Sequence, residues 1–207
     1  AAYERCSLLT PVAKPFSTDI GVEVASLGVQ VHGGMGFIEE TGAAQHYRDA
    51  RIAAIYEGTN GIQALDLVTR KVPLEGGNTI RLYLNELREI MKAVQASNAQ
   101  AFGETGARLN EAVDSLERAT QWLLVQKTSD TTLAGATPYL RLFGNAAGGC
   151  MLAEQALAAL RESGEPAARV ALARFFAENI AVQASTLERN VTEGADSVLT
   201  ADAALAV

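Results

Sequence analysis

The chain has 207 residues, of which 48% are hydrophobic and 20% charged, enough apolar material for one substantial core or two modest ones. A net charge of -7 supplies no basic stripe to neutralise phosphates, which makes nucleic acid a poor candidate partner, and no run of about 18 apolar residues is present to span a membrane. The reading is of a soluble, cytoplasmic protein whose two cysteines, Cys6 and Cys150, match neither a metal spacing nor a disulfide framework and are expected to be small packing residues.

In chain order, Pro11 and Pro15 read as punctuation ahead of a helix over 18–32, whose Ile20, Val24, Leu27 and Val31 recur at spacings of four, three and four. No preceding element covers that stripe. The chain therefore reads as cut from a larger architecture, with the bare face expected to drive self-association. "HGGMGFIEETG" follows, where Gly33, Gly34 and Gly36 predict a tight, shaped loop. A helix over 43–50, a turn bearing Glu57 and a helix over 59–71 come next. "VPLEGGN", residues 72–78, is the clearest boundary in the sequence.

Beyond it, Ile80, Leu84, Leu87, Met91 and Val94 form a helical stripe with Arg81, Glu86, Arg88 and Lys92 lying off it. Leu109, Val113, Leu116 and Leu123 form a second stripe, flanked by Trp122. Further helices are predicted over 137–161 and 166–190, with Gly164 as a C-terminal cap and Pro166 in the next first turn. Short connections between four amphipathic helices describe an antiparallel bundle. "GNAAGGCM", residues 144–151, supplies small residues for close helix approach. No alternating pattern argues for a sheet. The fold class is all-α: an incomplete helical domain over 1–74, then a four-helix bundle over 75–207.

Glu57 stands between the apolar run "IAAIY" and Gly58, directly before a helix start. Asn60 with Gln63 resembles a capping box, so that helix begins at Thr59 or Asn60. Two readings of the acid stand side by side. An acid beside free N–H groups at a helix start is favourable by about 0.3–1 kcal/mol and needs no chemistry. Alternatively, the apolar flank desolvates the carboxylate, which raises its pKa and makes it a better base, while Gly58 lets another molecule come close. The N–H groups of Thr59, Asn60 and Gly61 can also bind an anion such as a pyrophosphate. Gly33 and Gly34 serve either an unusual turn or backbone laid against a flat ligand.

"GVQVHGGMGFIEETGAAQHYRDARIAAIYEGTNGIQALDLVTRK" resembles the C-terminal segment of the acyl-CoA dehydrogenases. The resemblance rests on three motifs in order: Gln30, Val31, His32, Gly33, Gly34, Met35, Gly36 and Phe37; Arg48 and Asp49; and Tyr56, Glu57, Gly58 and Thr59. It implies an FAD enzyme that oxidises an acyl-CoA thioester to the 2,3-enoyl-CoA. In that family the acid matching Glu57 removes the pro-R α-proton while the β-hydride leaves for FAD. Some branches take the base from another helix and lack an acid here, whereas this chain has one. The resemblance further implies that Gly58 touches substrate, that Tyr56 lines the acyl pocket, and that Thr59, Asn60 and Gly61 meet the FAD pyrophosphate region. Many relatives carry a glutamine where Gly61 stands, which removes one side-chain contact.

Gln30, Val31, His32, Gly33 and Gly34 would meet the adenosine part of FAD, usually that of a neighbouring subunit, which implies a homo-oligomer. His32 and His46 are read as structural. An electron acceptor such as a second flavoprotein is implied as a partner. Residues 80–207 resemble the additional helical domain of a longer branch that includes the methylthiopropionyl-CoA dehydrogenases, most closely in "YLRLFGNAAGG". This segment alone is expected to be colourless and inactive. Two other readings are a non-dehydrogenase relative that binds duplex DNA, against which the acidic charge argues, and a helical interaction module without catalysis.

Overall fold

The computed structural model describes residues 2–97, 99–161, 166–201 and 204, which contain helices and no strand. The first helix, α1 (Ala2–Val31), is far longer than the predicted 18–32 and runs through both prolines. Interior proline costs about 3 kcal/mol through a lost N–H and a clash with the preceding turn. Here Leu8, Pro11, Val12 and Pro15, spaced three, one and three apart, form one buried stripe, so packing overrides the local preference. The hydroxyls of Thr10 and Thr18 donate to Cys6 O at 2.8 Å and Lys14 O at 2.9 Å in the turns around the two rings. The stripe read as a bare face lies outside the core, as expected: Ile20 is half-buried, while Val24, Leu27 and Val31 are 59%, 57% and 84% exposed.

A one-turn helix, α2 (Gly34–Phe37), and α3 (Ala43–Ala53) fold back along α1. The loop between α1 and α2 is tight, as expected. Gly33 is left-handed at φ 59°, and a Cβ on Gly36 would sit 2.1 Å from Val29 O, a contact that only glycine avoids. Gly34 is simply helical. After the turn at Glu57, α4 (Asn60–Asp66) continues as a π-helical stretch over Leu67–Lys71, and three successive left-handed residues, Glu75, Gly76 and Gly77, break the chain at the predicted boundary.

The second part comprises α5 (Asn78–Ala96), α6 (Thr105–Gln126), the short α7 (Asp130–Ala134), α8 (Ala136–Arg161), α9 (Pro166–Asn179), α10 (Ala184–Thr192) and α11 (Ala195–Leu199). The helix predicted over 166–190 is broken at Ile180, where φ is -109° and a 3-10 turn over Ala181–Gln183 follows. That break lets Ala181, Ala184 and Val191 enter the core as α10 crosses α6 and α8. Pro166 opens α9 as expected, and the predicted cap Gly164 lies outside the described residues.

The central element is α8, buried on several faces, which is why its sequence is apolar all round. Its small residues allow close approach: Cβ atoms on Gly144 and Gly149 would overlap Phe16 of α1 and Leu109 of α6. Phe143 stacks on Tyr83 at 5.7 Å and meets the edge of Tyr139 at 6.3 Å. The Tyr139 hydroxyl, buried and therefore shifted upward in pKa, bonds Thr120 at 2.7 Å. Leu8 and Val12 of α1 and Leu67 and Val68 beside α4 belong to the same apolar cluster as α5, α6, α8 and α9. No helix among the described residues is long and apolar enough to cross a membrane.

The two cysteines differ. Cys150 is fully buried in α8, and burial pushes its thiol up to about 12. Cys6 is exposed, because α1 turns Leu8 inward and Cys6 outward, so it is not the packing residue expected. In the native protein a thiol reagent is expected to label Cys6 and to reach Cys150 only after denaturation. Equal labelling rates, read by peptide mass, would contradict this burial.

Candidate active site

The turn that presents Glu57 is built from both its ends. Ala54, at the end of α3, is buried, and its carbonyl accepts the Asn60 N–H at 3.2 Å, closing the turn. Between them Glu57 and Gly58 are both left-handed, at φ 57° and 80°. For a residue with a Cβ this costs about 1–2 kcal/mol, so something must hold it there.

Two side chains do so. Gln63 Nε2, from α4, donates to Glu57 O at 3.1 Å. Lys14 Nζ, from α1, donates to Gly58 O at 3.0 Å and to Asn60 Oδ1 at 2.7 Å. Asn60 Nδ2 in turn faces Asp19 Oδ1 at 2.6 Å, Thr18 Oγ1 at 2.9 Å and Pro15 O at 3.4 Å. The expected capping box is therefore not formed. Thr59 is the N-cap, its hydroxyl accepting from Ile62 N at 3.4 Å, because the Asn60 side chain is drawn sideways to α1.

Glu57 itself is exposed, as are Ile52, Ile55, Tyr56 and Ile62 around it. The apolar flank does not bury the carboxylate within this chain; it forms an open apolar surface with the acid on it. The Glu57 N–H enters no hydrogen bond among the described residues, nor do those of Thr59 and Gly61. The Asn60 N–H, expected to face an anion, is committed to Ala54.

Gln30, Val31, His32, Gly33 and Gly34 lie at the far end of α1, all exposed. From Thr18 to Gln30 the helix advances about 18 Å at 1.5 Å per residue, so the structure does not bring this run to Glu57. His32 Nδ1 lies 2.8 Å from Gly28 O, where its N–H satisfies a carbonyl of the last helical turn. His46 is exposed on α3. Arg48 of the second motif pairs with Glu39 and ties α3 to the turn over Glu39–Thr41. No group of three or more His, Cys, Asp or Glu side chains is placed to hold a metal among the described residues.

Sequence reasoning missed Lys14. Its only signal was a cation between two prolines on an otherwise apolar stretch, and its partners lie 44 and 46 positions away.

Residues 2–72 match the family model described as "Acyl-CoA dehydrogenase, C-terminal domain", and residues 84–202 match "Acetyl-CoA dehydrogenase C-terminal like". A 3-methylmercaptopropionyl-CoA dehydrogenase of Ruegeria pomeroyi is 43% identical over 208 residues, covering 97% of this chain and 35% of that protein. A broad-specificity linear acyl-CoA dehydrogenase of Mycobacterium tuberculosis is 27% identical, over 92% of this chain and 33% of that one. The human mitochondrial short-chain specific acyl-CoA dehydrogenase is 44% identical over 54 residues, which cover 26% of this chain and 13% of that protein. The chain thus spans about a third of the length of the first two relatives. With its two segments matched and one relative aligned along nearly all of it, the chain belongs to the acyl-CoA dehydrogenase family.

Proposed function

We propose that this chain is the C-terminal part of a flavin-dependent acyl-CoA dehydrogenase that oxidises an acyl-CoA thioester to the 2,3-enoyl-CoA, with Glu57 as the base. Residues 1–74 form the end of the dehydrogenase helical domain and 75–207 an added helical bundle without chemistry of its own. The observation that carries this reading is the braced left-handed turn, which sets a carboxylate and an unused backbone N–H on the same residue of an apolar surface.

A thioester α-proton is weakly acidic, so its removal needs a positioned base and a donor for the developing enolate oxygen. Glu57 supplies both: its carboxylate takes the proton and its N–H faces the oxygen. Gly58 lets the thioester come close, and Tyr56 with Ile52, Ile55 and Ile62 lines one wall of an acyl pocket. Closure of that pocket by the rest of the protein would dry the site and strengthen both interactions.

The residues present fit a flavin dinucleotide. Thr59 and Gly61 offer unused N–H groups at a helix start, and nothing lies within 4 Å of a Cβ built on Gly33. Thr59, Asn60 and Gly61 would hold the pyrophosphate region, Asn60 by keeping the turn in shape. Gln30, Val31, His32, Gly33 and Gly34 would meet the adenosine part. The separation along α1 suits contacts to two cofactors, one of them in a neighbouring subunit of a homo-oligomer. When bound, FAD supplies the hydride acceptor, and a flavoprotein or similar acceptor reoxidises it. By itself the segment holds no flavin and is inactive.

Purified full-length protein is expected to be yellow and to bleach when an acyl-CoA is added without oxygen, with one enoyl-CoA formed per flavin reduced. Flavin that stays oxidised across a series of acyl-chain lengths would overturn the reading.

A further inference from the structure

We propose that Lys14 is a positioning residue for Glu57: by holding Gly58 O and Asn60 Oδ1 together, its ammonium fixes the turn that aims the base. This rests on the reading of Glu57 given above.

The two carbonyls that follow the base are each gripped by a different element. Glu57 O is held from α4 by Gln63 at 3.1 Å, and Gly58 O is held from α1 by Lys14 at 3.0 Å. Between them Gly58 is a hinge, since glycine alone has no steric preference for one sign of φ. With one carbonyl held, the peptide after Gly58 can rotate and carry Glu57 with it. With both held, the backbone on the C-terminal side of the base is fixed against two helices.

The grip of Lys14 is itself braced. Its second acceptor, Asn60 Oδ1 at 2.7 Å, belongs to a side chain whose Nδ2 is anchored on Thr18 and Asp19, one turn further along α1. Hydrogen bonds from a charged donor are the stronger kind, and this one is half-buried. Lys14 also sits between Pro11 and Pro15, whose rings lie in the core, so the helix turn that carries it is locked. The ammonium is thus a fixed post, and the turn of the base is tied to it.

The test uses full-length flavoprotein variants, compared by the rate of anaerobic flavin reduction per bound flavin at saturating acyl-CoA. Lys14→Met keeps the aliphatic stem and removes the donor. A displaced base costs about 10- to 100-fold in rate, and this loss is expected with acyl-CoA affinity and flavin content within about threefold of the parent. Lys14→Arg, which keeps a charged donor, is expected to recover most of the rate. A residue that only stabilised the fold would lower the melting temperature and leave the rate per flavin unchanged. If Lys14→Met does not yield folded flavoprotein, Lys14→Gln, with one neutral donor, is measured instead and an intermediate loss is expected.

Glu57→Gln run in parallel separates the two levels. A slow Glu57→Gln beside a Lys14 variant with parental rate per flavin overturns the role of Lys14 and leaves Glu57 as the base. A Glu57→Gln protein with parental rate overturns both.

Discussion

Glu57→Gln in the full-length enzyme is expected to lower turnover by about 10²–10⁴-fold, the worth of a positioned proton acceptor. Glutamine keeps the length and one hydrogen-bonding oxygen, and it occupies the left-handed conformation at φ 57° no less well than glutamate. What it loses is the capacity to take the α-proton. Flavin content and acyl-CoA affinity do not depend on the negative charge and should stay within a few-fold of the parent. The loss exceeds the low end of that range if closure of the site keeps out water that would otherwise stand in as base. Were the acid only a favourable helix-start residue, the same change would cost at most about 1 kcal/mol of stability and leave turnover nearly intact. Turnover and melting temperature measured on the same preparation distinguish these two outcomes.

Phe143→Ala is expected to destabilise the chain by about 3–5 kcal/mol, because a fully buried ring is replaced by a cavity that its neighbours only partly fill. Phe143 is the ring through which α8 meets Tyr83 of α5, and it also packs on the edge of Tyr139, one turn back on α8 itself. Total stability of a domain is about 5–15 kcal/mol, so this one change removes a large share of it. Since α1 and α4 share the cluster with α5, α6 and α8, both parts of the chain should loosen together. Urea denaturation followed by circular dichroism and by the fluorescence of Trp122 should give one coincident transition, shifted to lower denaturant. A shift worth less than about 1 kcal/mol would mean that Phe143 is not the central packing residue of this core.

What was legible in the sequence divides along physical lines. The helices α5 and α6 were readable because each buries one stripe and exposes the rest, and the break at Glu75, Gly76 and Gly77 because successive glycines rarely extend a helix. The first half of α1 was not, because Pro11 and Pro15 signal an end locally and only the buried face they share reveals otherwise. The second half of α1 was legible both as a helix and as one whose apolar face nothing ahead of it covers. Ile20, Val24, Leu27 and Val31 carry a core pattern, and the described residues leave that stripe largely uncovered. The break at Ile180 has neither glycine nor proline and follows from the packing of Ala181 and Ala184.

At the site, the acid followed by glycine before a helix start was a sequence signal, whereas its bracing was not. By propensity Asn60 is the better cap of the two, yet Thr59 takes that role. Their roles are divided by Lys14, Thr18 and Asp19, more than 40 positions away, and no local pattern records such a partner.

The assignment of Glu57 is tested most directly by a single turnover without electron acceptor. Full-length parent and Glu57→Gln proteins, each with flavin bound, are mixed anaerobically with saturating acyl-CoA, and loss of the oxidised flavin absorbance is followed in time. The parent is expected to bleach rapidly and Glu57→Gln at least about 10²-fold more slowly at the same substrate occupancy. A Glu57→Gln protein that bleaches at close to the parental rate would contradict the assignment and place the base on another residue.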